Sequence, residues 1–193
     1  MSTEERQKEI LNTALKIIHE EGYKDLTVRN IADMINISEP AIYRHFDNKE
    51  EIVLSLAEMV FKKNSPEIDT QKFENTRSLL KETLNRQFER LEENPYVTAV
   101  LFQSELFREY PKVERLFIKH RQEKKEALED IVREGQKNGH FSNNIDPEIF
   151  ALLFMGSVRM SALEWRDDNF SYQLTEKAEP IAKELFKILR EGD

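Results

Sequence analysis

The chain has 193 residues, 34% of them charged, with 29 Lys and Arg against 37 Asp and Glu for a formal net charge of −8. It contains no cysteine and only five Gly and six Pro, which removes disulfides, thiol catalysis and zinc–cysteine sites and favours long helices over a turn-rich sheet. No apolar run reaches the roughly 20 residues needed to span a bilayer, and the opening MSTEERQKEI is too polar for a signal peptide, so a soluble, cytoplasmic protein with no membrane partner is expected.

Ser2 and Glu5 have capping-box spacing, and Ile10, Ala14, Ile17 and Ile18 follow as an apolar stripe, which predicts a first helix ending at Gly22. Thr27 can cap a second helix whose inward face is Val28, Ile31, Ala32 and Ile35; Asn36 then stops it, because Asn tolerates the left-handed conformation, and Ile37 is tucked under both helices. Ser38 offers its hydroxyl as the cap of a third helix with Pro40 in its first turn, burying Ala41 or Ile42 together with Phe46. Two short helices joined by a tight turn form a helix-turn-helix. The outer face of the second carries Glu39, Pro40, Tyr43, Arg44 and His45, a polar and aromatic surface that fits the major groove of DNA.

Asp47 and Glu50 repeat the capping-box spacing ahead of a fourth helix that carries Ile52, Leu56, Met59 and Val60 toward residue 63, with Lys49 in its first turn. A short break at Asn64 to Thr70 leads to a helix with Leu80, Leu84, Phe88 and Leu91. Asn94-Pro95 then starts another whose stripe includes Val97, Leu101 and Phe107. Pro111 opens a longer helix presenting Val113, Leu116, Phe117, His120, Leu128 and Ile131, which ends near Gly135 or Gly139. Asp146-Pro147-Glu148 starts the next. It is apolar around much of its circumference from Ile149 to Trp165 and so is expected to be buried on several sides. A last helix, near Thr175 to Arg190, carries Ile181, Leu185, Ile188 and Leu189. The whole is an all-α chain of about nine helices: a DNA-binding head over residues 1–46 and a body over 47–193.

The pattern T-x-x-x-I-A followed by S-x-x-x-I-Y-x-H-F-x-x-K-E, present as Thr27, Ile31-Ala32, Ser38, Ile42-Tyr43, His45-Phe46 and Lys49-Glu50, resembles the signature of the TetR family of transcriptional regulators. The resemblance covers the first quarter of the chain, and beyond it only length and helical pattern agree. Where the family usually has Gly, this chain has Asn36, a conservative change for a left-handed position. The resemblance assigns Thr27, Ser38, Tyr43, His45 and Lys49 to the phosphate backbone, and Arg29, Glu39, Pro40, Ala41 and Arg44 to base edges. The chemistry agrees: hydroxyls, a phenol, an imidazole and an ammonium position the protein, whereas a guanidinium grips guanine and Pro or Ala touches a thymine methyl.

Net charge argues the other way. Residues 1–50 hold seven Lys and Arg against ten Asp and Glu, so DNA binding has to come from local placement and from two heads acting together. The resemblance also implies a small-molecule pocket in the body. Eleven of the twelve Phe lie at or beyond position 61; Phe61, Phe88, Phe102, Phe107, Phe117, Phe150 and Phe154 could line an apolar one, with Gln103, His120, Arg121 and Arg159 fixing a polar or acidic end. Packing of an ordinary helical core is the alternative role for each of these residues. The last two helices are implied to make a homodimer through a four-helix bundle, with small Gly156, Ser157, Ser161 and Ala162 allowing close approach and Met160, Leu163, Leu185 and Leu189 supplying apolar area.

No enzyme is expected, and no cofactor or metal: the four His show no ligand spacing and there is no glycine-rich phosphate loop. The expected function is ligand-controlled transcriptional repression at a palindromic operator on double-stranded DNA, relieved by a small apolar ligand, for instance a fatty acyl compound. The alternatives are a DNA-binding protein of the same fold controlled by a protein partner, and a helical adaptor that does not bind DNA.

Overall fold

The computed structural model describes residues 2–63, 76–102 and 108–190. Among these residues it is all helical, with nine α-helices and no strand. They fall into two compact units: Met1–Lys63 with Tyr96–Ile118, and Asn64–Pro95 with Lys119–Asp193.

In the first unit, α1 (Thr3–Glu20) begins at the expected capping box. Ser2 Oγ accepts from the Glu5 amide at 3.2 Å while the Glu5 carboxylate accepts from the Ser2 amide. Its inward stripe is completely covered at Ile10, Ala14 and Ile17, and Gly22, at φ 97°, turns the chain away. The stripe packs on α2 (Val28–Met34) and α4 (Lys49–Lys63), and also on α6 (Thr98–Leu101). Thr27 caps α2 through Oγ1, which accepts from Asn30 N at 3.0 Å. At the other end Asn36 takes φ 55°, and Ile37 N donates back to Ala32 O at 3.0 Å, closing the helix in a left-handed cap. Asn36→Ala should therefore cost about 1 kcal/mol, and Asn36→Gly should cost nothing or stabilise slightly; denaturant melts of the two variants check this.

Several expectations for this unit need correction. Ile35 and Ile37 are half-buried rather than covered. Helix α3 (Glu39–Ile42) is only four residues long, continued by turns to Phe46; of the two alternatives Ala41 and Ile42 it is Ile42 that is buried, together with Phe46 as expected. Ser38 makes no side-chain cap. A cap serves the second or third amide of a helix; here the second belongs to Pro40, which has none, and the third, that of Ala41, is already bonded to the Ser38 carbonyl at 2.9 Å. The capping box before α4 lies one residue later than the spacing suggests: Asn48 Oδ1 accepts from Glu51 N, and the Glu51 carboxylate accepts from the Asp47 amide. Met59 is half-buried, with Val53, Ala57 and Phe61 completing the inner face.

In the second unit, α5 (Thr76–Glu93) packs on α8 (Pro147–Asp167), on a 3-10 turn at Leu174–Lys177, and on α9 (Ala178–Ile188). Helix α7 (Pro111–Lys137) belongs to the second unit from residue 119 onward, and its end is fastened by Gly139 at φ 71°. The Phe141 ring lies where a Cβ on Gly135 would stand, 2.1 Å away. Asp146 caps α8 through Glu148 N at 2.8 Å. The break at 64–70 and the position Phe107 lie outside the described residues, and the helix expected after Asn94-Pro95 is a 3-10 turn at Pro95–Val97 followed by the single turn α6.

Helix α8 is apolar on two sides but covered on one. Phe150, Ala151, Phe154, Val158, Ala162 and Trp165 are buried, whereas Ile149, Leu152, Leu153 and Met160 are 52%, 63%, 44% and 57% exposed. With Gly156 these form an i, i+3, i+4, i+7, i+11 stripe facing away from the protomer. Burial on several sides therefore does not hold within one protomer.

Candidate nucleic-acid interface

The three helices of the head place the expected contact residues as a group. Arg29, Glu39, Pro40, Tyr43 and Arg44 are exposed, as are Thr27 and Ser38, while Ile31, Ile42 and Phe46 hold the two short helices to the core behind them. Ala41, His45 and Lys49 are half-buried. The Ser38 hydroxyl, unused as a cap, remains available to an outside acceptor. Thr27 Oγ1 uses a lone pair on Asn30 N and keeps its proton for donation. Arg29 lies 3.7 Å from the Asp33 carboxylate across one turn, but both side chains are more than two-thirds exposed. Such a pair contributes at most about 1 kcal/mol and gives way readily to a phosphate or a guanine.

Two features could not be read from the sequence. First, an open cleft of about 520 Å³ joins Ile37, Ala41, Arg44 and His45 to Thr3 and Arg6 from the first turns of α1. Arg6 is paired with Glu9, and Gln7 Nε2 donates to the His45 carbonyl at 3.2 Å, fixing α1 to the end of the recognition turn. His45 Nδ1 is buried without a hydrogen-bond partner among the described residues. Second, Lys49 Nζ stands 5.1 Å from the centroid of the Tyr23 ring, a cation–π contact that narrows the range of the ammonium at the N-terminal end of α4. Burial raises the Tyr23 pKa, and the hydrogen bond to Tyr110 adds to it, so the phenol stays neutral beneath the lysine. No spacing rule links residues 6 and 44 or 23 and 49, since both pairings arise from tertiary packing.

The expected ligand-binding residues are divided. Phe61 and Phe117 belong to the first unit, with ring centroids 5.7 Å apart, and Phe102 is half-buried there. Phe88, Phe150 and Phe154, at 0%, 1% and 1% exposure, are core side chains of the second unit, as is the 8% exposed His120. Arg121 and Arg159, expected to fix the polar or acidic end of a ligand, are exposed in the protomer. Gln103 and Phe107 lie outside the described residues. Among the expected dimer residues, Gly156 and Met160 lie on the exposed stripe of α8 and Leu163 is half-buried; Leu185 and Leu189, at 7% and 0% exposure, are covered within their own protomer, as are Ser161 and Ala162. Among the described residues no cluster of His, Asp or Glu could hold a metal, and no helix is long and apolar enough to cross a membrane.

Comparison with known proteins settles the family. Residues 10–56 match the model of bacterial regulatory proteins of the tetR family, and residues 56–188 match the C-terminal region of YsiA-like proteins. The chain belongs to the TetR family. It is a transcriptional regulator and not an enzyme. It is 26% identical over 192 residues to the HTH-type transcriptional repressor KstR2 of Rhodococcus jostii, covering 97% of this chain and 90% of that one. The fold is shared with the fatty acid degradation regulator FadR of Bacillus halodurans, at TM-score 0.80 and 22% identity over 93% of each chain. It is shared also with FadR of Bacillus subtilis in complex with stearoyl-CoA, at TM-score 0.74 and 20% identity over 92% of this chain and 96% of that one.

Proposed function

We propose that this TetR-family regulator is a dimeric repressor that binds a palindromic operator through the face carrying Arg29, Glu39, Pro40, Tyr43 and Arg44, and is released by an apolar ligand of fatty acyl type. The observation that carries the DNA reading is the division of the recognition turn, with Ile42 and Phe46 covered and Glu39, Pro40, Tyr43 and Arg44 outside. A module built only to pack on a protein has no use for a basic and phenolic edge beside a lysine at a helix N-terminus. Thr27, Ser38, Tyr43, His45 and Lys49 serve the phosphates, and Ala41 and its exposed neighbours serve the base edges. The head covers residues 1–46, and the chain from 47 onward forms the body.

The acyl reading is supported by the stearoyl-CoA bound to a protein of the same fold and by the aromatic content of the chain beyond residue 60. Ligand and operator oppose each other by linkage if the ligand prefers a body conformation in which α4 holds the two heads off the half-site spacing of about 34 to 36 Å. Sequencing the DNA retained by the purified protein, then adding stearoyl-CoA to the complex on the recovered site, tests both halves. Retention of random sequence alone rejects the operator, and an unchanged complex rejects the ligand class.

Within that reading, Arg29→Ala should cost about 1 to 3 kcal/mol on the best site and relax its sequence preference. Lys49→Ala should weaken all sites alike and lower the salt slope by about one. Titrations on cognate and random duplexes at several salt concentrations separate the two, and equal losses on both duplexes for both variants would reject the assignment.

A further inference from the structure

We propose that the cleft between the first turns of α1 and the recognition turn seats one phosphate of the DNA backbone, with Arg6 gripping it and the Thr3 hydroxyl donating beside it. The proposal rests on the operator reading above. It adds to the phosphate contacts two residues of α1, a helix that the sequence pattern left out of the interface.

The cleft holds about 520 Å³ and is lined by Thr3, Arg6, Ile37, Ala41, Arg44 and His45. Ala41, Arg44 and His45 belong to the face already assigned to DNA, so the cleft opens beside that face. Its charged walls are two guanidinium groups, one from α1 and one from the recognition turn, and among the described residues no carboxylate lines it. The head as a whole is acidic, with ten Asp and Glu against seven Lys and Arg over residues 1–50. A polyanion is drawn to such a head only where positive charge is gathered locally, and this cleft is one such place. A backbone phosphate presents two oxygens that share a negative charge, which suits the parallel donors of a guanidinium.

The walls are held in place by contacts within the head. The Ser2–Glu5 capping box keeps the first turn of α1 wound, and Gln7 Nε2, donating to the His45 carbonyl at 3.2 Å, fixes that turn to the recognition turn. Arg6 Nη1 lies 2.5 Å from the Glu9 carboxylate, with 26% and 39% of the two side chains exposed. Exposed pairs of this kind are weak, and a guanidinium has five N–H donors, so one carboxylate does not exhaust Arg6.

The test measures binding of the full-length protein to its selected operator and to a random duplex at several salt concentrations. The variants are Arg6→Gln, Arg6→Lys, Glu9→Gln and the double variant Arg6→Gln/Glu9→Gln. Arg6→Gln should weaken binding about tenfold on both duplexes and lower the salt slope by about one per head. Equal loss is expected because a phosphate contact carries no sequence information; a loss confined to the operator would make Arg6 a reader of bases and overturn the seat. Arg6→Lys should restore the slope and part of the affinity, and a slope as low as that of Arg6→Gln would overturn it.

The double variant has the net charge of wild type and so separates contact from field. It should stay about tenfold weaker than wild type with the lowered slope. Recovery of wild-type affinity and slope would mean that Arg6 only offsets Glu9, which overturns the seat. Glu9→Gln should bind at least as tightly as wild type; a loss matching that of Arg6→Gln would make the pair structural and overturn it too. Methylphosphonate, which removes the charge of a single phosphate, is then placed at each operator position in turn. One position in each half-site should cost wild type about tenfold and cost Arg6→Gln nothing. Equal sensitivity of the two proteins at every position overturns the seat and leaves the operator reading standing. If wild type retains no duplex of any sequence, the operator reading falls and the seat falls with it.

Discussion

Leu185→Arg should unfold the second unit rather than separate two intact protomers. Leu185 lies on the inner side of α9, 7% exposed, where α9 packs on α5. The substitution removes a covered leucine, which alone costs about 2 to 5 kcal/mol, and puts an unpartnered guanidinium in its place. The sum is a large part of the roughly 5 to 15 kcal/mol that holds a typical domain together. Arginine can relieve some of it by extending its head toward solvent past the half-buried Ile181 and Ile188, but the stem cannot refill the space. A far-UV circular dichroism melt should show a markedly lower transition, with partial loss of helix at ambient temperature. An unchanged melt combined with dissociation into monomers would mean that this side chain faces a partner.

Amphipathic period and cap chemistry made most of the fold legible. The Ser2–Glu5 box, the Thr27 cap, the left-handed Asn36 and the Asp146 cap all stand where the residues ask for them, because each depends on atoms within four positions in the chain. The errors have local causes as well. Ser38 looked like a cap until Pro40 and the Ala41 amide left it nothing to serve, and Asp47 and Asn48 are both good caps, so spacing alone could not choose between them. What sequence could not reveal is what residues distant in the chain do together. The cleft shared by Arg6 and Arg44 and the Tyr23 ring beneath Lys49 are products of packing. Periodicity also could not say which apolar side of α8 the protomer would cover. A helix with Phe150, Phe154 and Trp165 on one side and Leu152, Leu153 and Met160 on another reads as buried throughout, and Leu185 and Leu189 were for the same reason indistinguishable from interface residues.

Leu152→Arg, by contrast, should leave the protomer folded and remove operator binding. Leu152 is 63% exposed in the middle of the α8 stripe, so within one chain the change resembles other surface substitutions, whose effect on stability is about 0.5 kcal/mol or less. A contiguous stripe of Ile149, Leu152, Leu153 and Met160 is larger than the scattered apolar residues of an ordinary surface and marks a contact with another molecule. Gly156, with open space around the position of a Cβ, would let a facing helix approach closely. The proposed occupant is a second copy of this chain. A two-fold interface uses the same patch twice, so one substitution introduces two guanidinium groups near the symmetry axis, each displacing apolar contact and repelling the other. Without the dimer the second head no longer binds as an intramolecular event, and avidity of the order of 100- to 10,000-fold is lost. Sedimentation should show folded monomers with wild-type helix content and melting behaviour close to that of an isolated protomer. Gel shifts should show only weak, salt-sensitive binding, equal on operator and random duplex. A dimer of wild-type strength carrying Leu152→Arg would move the interface off α8, and full operator affinity in a proven monomer would reject the requirement for two heads.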